Sequence, residues 1–200
     1  MNRKDFLNLS TRAALFLGVA PSLIACKDDA TQVDKDKLNE MLSASKALGT
    51  AVGLAHAPIA KVRVGILGLG NRGSVLIQMF EYLVKNNYAE IVALSDLKED
   101  KLNKNNDYLK TIQPKGADLY FGSKDEWKKV AERDDVDLMI IATPWELHTE
   151  MSVYGMENGK HVACEQPMAM TLADCWKLIE VAERTKMHCM YMENCCFNGE

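Results

Sequence analysis

The chain has 200 residues, 48% of them hydrophobic, and a formal net charge of −4. That length holds one domain with extensions, and the hydrophobic share supports a packed core. The mildly acidic balance offers no basic face for nucleic acid and points to no particular protein partner.

Residues 1–25 read as an export signal and stand apart from the fold. Arg3, Lys4 and Arg12 come before an apolar run, Ala13 to Ala25, that is too short to span a membrane as a permanent helix. Leu23-Ile24-Ala25-Cys26 is similar to a bacterial lipobox, in which the cysteine becomes the lipidated first residue of the mature chain. An ordinary small-residue cleavage site is the alternative. On the first reading the protein is an exported lipoprotein, periplasmic or at the cell surface, held to the membrane through Cys26. Arg3-Lys4-Asp5-Phe6-Leu7 resembles a variant twin-arginine signal, and Lys27-Asp28-Asp29 resembles a surface-export tag or begins a solvated tether. Residues 26–60 are polar and Ala-rich, with a short helical pattern near 35–48, and are expected to tether the anchor to a domain over 61–200.

From Lys61 strand and helix patterns alternate, which predicts parallel βαβ units: an α/β, Rossmann-type doubly wound sheet. Strands are expected at 61–67, 90–95, 118–121, 136–142, 160–164 and 188–192. Helices are expected near 73–86, 99–112, 124–132, 146–158 and 171–186. The first strand runs into Gly68-x-Gly70-x-x-Gly73 and then directly into a helical pattern. In that setting Gly68 permits the tight turn, Gly70 admits a pyrophosphate to the backbone, and Gly73 lets helix and strand pack closely. The helix start offers N–H groups and a positive dipole end to phosphates. Asp96 closes the second strand, 23 residues after Gly73, where a carboxylate binds the ribose of a dinucleotide. It favours NAD over NADP, because it repels a 2′-phosphate.

Three further strand ends carry chemistry. Thr143-Pro144-Trp145-Glu146 reads as a capping box opening a helix at the carboxyl edge of the sheet, with Trp145 and His148 on one helix face beside a nicotinamide ribose. Glu165-Gln166-Pro167 aims a carboxylate at the same crevice, and Asn194 ends the last strand with an amide suited to a carboxamide. Packing or turn chemistry is the plainer role open to each of these. The six cysteines contain no CxxC pair, and His188 beside Cys189 is not a zinc spacing, so neither a metal site nor a disulfide framework is expected.

Taken together, Gly68-x-Gly70-Asn71-Arg72-Gly73, Ala142-Thr-Pro-Trp-x-x-His148, Gly159-Lys-His-Val162, Glu165-x-Pro167 and His188-Cys-Met-x-Met-Glu-Asn194 resemble the Gfo/Idh/MocA superfamily. Within it they look most like glycoside hydrolase family 109, the NAD-dependent α-N-acetylgalactosaminidases. The resemblance covers 61–200 and implies NAD contacts at Asn71, Arg72, Asp96, Trp145, His148, Glu165, Gln166 and Asn194. It also implies a C-terminal α/β substrate domain that holds the catalytic residues and is absent from this chain, which is therefore expected to be a fragment or a truncated product, inactive alone. The implied reaction on a small-molecule or glycan substrate is transient oxidation at C3, elimination of the anomeric group, water addition and return of the hydride. Superfamily oxidoreductases typically carry Glu-Lys-Pro where this chain has Gln166, and glutamine is no acid or base near neutral pH. That disfavours the alternative of a sugar oxidoreductase. A non-catalytic NAD-binding lipoprotein is the other alternative, should the chain be a complete product.

Overall fold

β1 (Val62–Leu67) lies near the middle of a six-stranded sheet because both of its faces are covered, with Val64, Ile66 and Leu67 at 0% exposure. In the computed structural model, which describes residues 53–193, the strand order is β3-β2-β1-β4-β5-β6 and every pairing is parallel. The other strands are β2 (Ala89–Ser95), β3 (Asp118–Tyr120), β4 (Leu138–Ile141), β5 (His161–Cys164) and β6 (Cys189–Tyr191). Each lies within about two residues of its expected position. The signal, the anchor at Cys26 and most of the tether, expected within residues 1–52, and Asn194 lie outside the described residues.

The helices divide between the two faces as double winding requires. α1 (Asn71–Met79), α2 (Glu81–Lys85) and α3 (Glu99–Ile112) sit on one side, where Leu76, Ile77, Leu102 and Leu109 pack with Val64, Ile66 and Ile140. α4 (Glu126–Ala131), α5 (His148–Glu157) and α6 (Leu172–Thr185) cover the other, where Trp127, Met151, Met156, Leu178 and Val181 meet Leu67, Met139 and Ile141. Successive β4 residues feed opposite cores, as the two-residue period of a strand dictates. The chain thus reverses its winding between β1 and β4, and in open α/β sheets the crevice at that point is where ligands bind.

Two local expectations fail. The helix expected over 73–86 breaks at Phe80, which ends α1 and starts α2 with ψ −11°. After the break Glu81 accepts from Tyr108 Oη at 2.9 Å, which ties α2 to α3. The capping box at Thr143 does not form. Pro144 precedes a single 3-10 turn, Trp145–Leu147, without a side-chain cap, and the Thr143 hydroxyl turns instead to Met151 Sδ at 3.4 Å. α6 does carry such a cap: Thr171 Oγ1 accepts from the Asp174 N–H at 3.1 Å. Among the described residues, no helix is long and apolar enough to cross a membrane.

Candidate functional site

The carboxyl ends of β1, β2, β4 and β5 converge on the winding switch. Gly68 has φ +83°, and an added Cβ would lie 2.6 Å from Ala142 O, so only glycine lets β1 turn this close to the end of β4. A Cβ on Gly73 would run into the Gly68 carbonyl oxygen, which is the close helix-to-turn packing expected of that glycine. Gly70 differs: a Cβ there would meet nothing nearer than Lys101 Nζ at 3.9 Å. The backbone over Gly70 is therefore open on the side where a phosphate approaches.

α1 begins at this opening with Gly70 as its N-cap, no side-chain hydrogen bond and no acidic residue in its first turn. Its first N–H groups lack the side-chain acceptor that normally satisfies them, and an anion supplies the same service. Lys101, on the first turn of α3, adds positive charge beside the loop. Sequence reasoning did not single it out; the only signal was a lysine in the turn that follows the Asp96 strand end.

Asp96 is half-buried, and both carboxylate oxygens are engaged. Oδ2 accepts from the Leu69 N–H at 2.7 Å and Oδ1 from the Lys98 N–H at 2.9 Å. This fixes the carboxylate beside the glycine loop, while its remaining lone pairs stay available to a ribose diol.

On the far side of the switch, Arg72 Nε donates to Glu165 Oε1 at 2.6 Å. The glutamate is 7% exposed. The structure thus turns Glu165 toward the glycine loop, and the pair joins the ends of β1 and β5 across β4. Gln166 is exposed at the same edge, and the Gln166–Pro167 peptide is cis. Asn71, the first residue of α1, is exposed at the loop.

His148 and Trp145 differ sharply in burial. Trp145 is 58% exposed on the 3-10 turn and lines a groove of about 470 Å³ with Met170, Asp174 and Lys177. His148 is 1% exposed and points inward, with Nδ1 2.8 Å from Pro167 O and Nε2 2.8 Å from Thr143 O. Its ring bridges the loops after β4 and β5, so it positions the crevice wall instead of presenting a free polar group.

The thiols of β5 and β6, Cys164 and Cys189, are unsuited to nucleophilic work. Burial pushes the Cys164 thiol up to about 12 and the Cys189 thiol up to about 11. Cys164 behaves as a small hydrophobe of the core.

The sequence profile described as "Oxidoreductase family, NAD-binding Rossmann fold" (Gfo/Idh/MocA) matches residues 62–193. An alpha-N-acetylgalactosaminidase of Bacteroides fragilis is 46% identical over 147 residues, which is 74% of this chain and 34% of that protein. A glycosyl hydrolase family 109 protein of the same species is 40% identical over 186 residues, 92% of this chain and 39% of that protein. The chain therefore spans about a third of the length of the curated relatives it matches. Among solved structures, an NAD-binding protein from Listeria innocua superposes with a TM-score of 0.54 at 29% identity, covering 68% of this chain and 36% of that one. The WlbA dehydrogenase from Chromobacterium violaceum, in complex with NADH and UDP-GlcNAcA, superposes at 0.58 with 24% identity, covering 70% and 37%. That second likeness bears on the fold alone.

Proposed function

The chain belongs to the Gfo/Idh/MocA oxidoreductase family, and on that premise we propose that its switch crevice holds NAD for a glycosidase. The complete gene product, on this reading, hydrolyses α-N-acetylgalactosaminides or related glycosides. The observation that carries the cofactor assignment is the uncapped start of α1 beneath an open Gly70, with the Asp96 carboxylate fixed beside it. The relatives named as family 109 hydrolases support the substrate class.

Bound NAD supplies a reversible hydride acceptor for C3 of the sugar. The residues of this chain hold and orient it. The N–H groups of α1 and the ammonium of Lys101 meet the pyrophosphate, and Asp96 receives the adenosine ribose hydroxyls and disfavours a 2′-phosphate. Arg72 and Glu165 brace the floor of the crevice, His148 fixes the wall, and Trp145 and Gln166 stand exposed at its rim. Asn194 is assigned to the carboxamide region by the family resemblance. Gln166 in place of a lysine removes the proton carrier that a net sugar oxidation would use. Export with a lipid on Cys26 fits a cofactor that is regenerated in place, since such an enzyme draws on no NAD pool.

The deciding experiment incubates the complete gene product with an aryl α-N-acetylgalactosaminide and no added NAD. Release of the aryl alcohol without net NADH is expected. Accumulation of NADH in step with substrate consumption would overturn the glycosidase in favour of an oxidoreductase. Labelling with a radioactive fatty acid, abolished by Cys26→Ser, tests the anchor.

A further inference from the structure

Three of the four histidines of the chain meet at the opposite edge of the sheet. His161 opens β5, His188 lies just before β6, and His56 belongs to the segment that precedes β1. Their rings meet in pairs, edge to face for His56 with each of the others and tilted for His161 with His188, with centroids 4.6 Å apart for His56 and His161, 5.2 Å for His56 and His188, and 5.0 Å for His161 and His188. One ring nitrogen from each lies within 4.8 Å of the other two. All six strands are parallel, so this cluster sits at the amino edge, about 13 Å along β5 from Glu165.

We propose that His56, His161 and His188 form a trihistidine site for a divalent transition-metal ion, zinc by preference. Three imidazoles without a carboxylate suit a borderline-soft cation and do not suit magnesium or calcium. A tetrahedral zinc needs its nitrogens about 3.3 Å apart, so the cluster closes on an ion by small rotations of the exposed His56 and His188 rings. An outer partner is in place: His56 Nε2 lies 2.6 Å from Lys186 O. A ring that donates there keeps Nδ1 for the metal, the arrangement in which a carbonyl fixes the tautomer of a ligating histidine.

The carbonyl that holds His56 belongs to a residue that closes α6 in the left-handed region, Lys186 with φ +62°. Glycine is the usual residue there. The carboxyl end of a helix also favours a nearby cation. Binding has one cost. His161 Nδ1 accepts from the His188 N–H at 3.1 Å, and ligation through that nitrogen exchanges the N–H for the ion. Ring packing alone would also bring three aromatic faces together, but it would not need a carbonyl aimed at the outer nitrogen.

The expected consequence is mechanical, since the site lies far from the cofactor crevice. An ion here fastens the segment before β1 to the starts of β5 and β6. The sequence hid the site because its members are separated by 105 and 27 residues.

The test titrates the untagged full chain with zinc chloride and, in parallel, with cobalt(II), whose visible bands report coordination. One ion per chain is expected. Removing a ligand by His56→Gln or His188→Gln should weaken binding by more than the roughly 10- to 100-fold that loss of an outer partner causes. Saturation at a hundred times Kd should raise Tm by about 5–10 °C. Diethyl pyrocarbonate footprinting of the unmutated chain covers the case of variants that fold poorly: zinc should protect His56, His161 and His188 from modification. Binding that survives the substitutions, binding abolished by cysteine alkylation, one ion shared between two chains, or footprints that zinc leaves unchanged would each overturn the site.

Discussion

Replacing Asp96 with alanine separates the two jobs the structure gives that carboxylate. Two of its roughly four lone-pair directions are taken by the Leu69 and Lys98 amides. Leu69 is 1% exposed, so its N–H loses a charge-assisted bond that water does not replace, at about 1.5–3 kcal/mol. The Lys98 amide is exposed and turns to solvent at little cost. The two free directions match a ribose diol, and loss of that contact should weaken NAD binding by about 10- to 150-fold, from 1.5–3 kcal/mol of charge-assisted bonding. NADP binding should fall less, because the repulsion against a 2′-phosphate goes with the carboxylate. Urea denaturation reads the first quantity, and calorimetric titration with each dinucleotide reads the second. Asp96→Asn keeps an acceptor for Leu69, so it should retain most of the stability while still losing preference for NAD. A change in NAD affinity of less than about threefold on Asp96→Ala, with an unaltered NAD-to-NADP ratio, would refute the ribose contact.

The glycine loop makes a paired prediction. Gly73→Ala should cost about 1–3 kcal/mol or more in urea, since its Cβ collides with the Gly68 carbonyl; Gly70→Ala should leave stability nearly unchanged and weaken cofactor binding. Site-resolved alkylation at pH 8 should label exposed Cys175 well before Cys164 and Cys189, whose labelling should climb with pH toward their thiol values of about 12 and 11. Equal labelling at pH 8 would contradict the desolvation that raises both thiols. Asp137, which accepts from Arg63 Nη2 at 2.6 Å, has a pKa held below the ordinary carboxylate range, chiefly by that hydrogen bond. Its folded value lies below its unfolded one, so the contribution is complete above about pH 4 and is lost as the pH falls through the folded value. Asp137→Asn should flatten the acid limb of the stability profile, and an unchanged limb would remove the pair from that role.

The sheet was legible because its signals are local. Runs such as Leu138–Ile141 are apolar on both faces, and the glycine spacing marks the turn that joins β1 to α1. Helix boundaries were legible where the pattern was long, as in α3 and α6, and not where a single residue redirects the chain, as at Phe80. Side-chain direction was harder to read. Trp145 and His148 stand three apart, yet Trp145 lies exposed on the 3-10 turn while the carbonyls of Thr143 and Pro167 hold the His148 ring inside. The Thr143 hydroxyl found a sulfur across the loop instead of a helix amide. Lys101 and the histidine cluster were invisible for a different reason: their significance depends on residues brought near by strand order.

The carboxyl edge is stitched by three cross-links of different kinds. Asp96 joins the end of β2 to the loop after β1, Arg72 and Glu165 join that loop to the end of β5, and His148 joins the exits of β4 and β5. Four strand ends therefore move as one plate, and losses at the three links should be non-additive. Trp145 and Gln166 carry none of these links and stand exposed beside them. Substitution there leaves the plate intact, so a lineage can exchange one chemistry for another at the rim without reopening the problem of folding the floor.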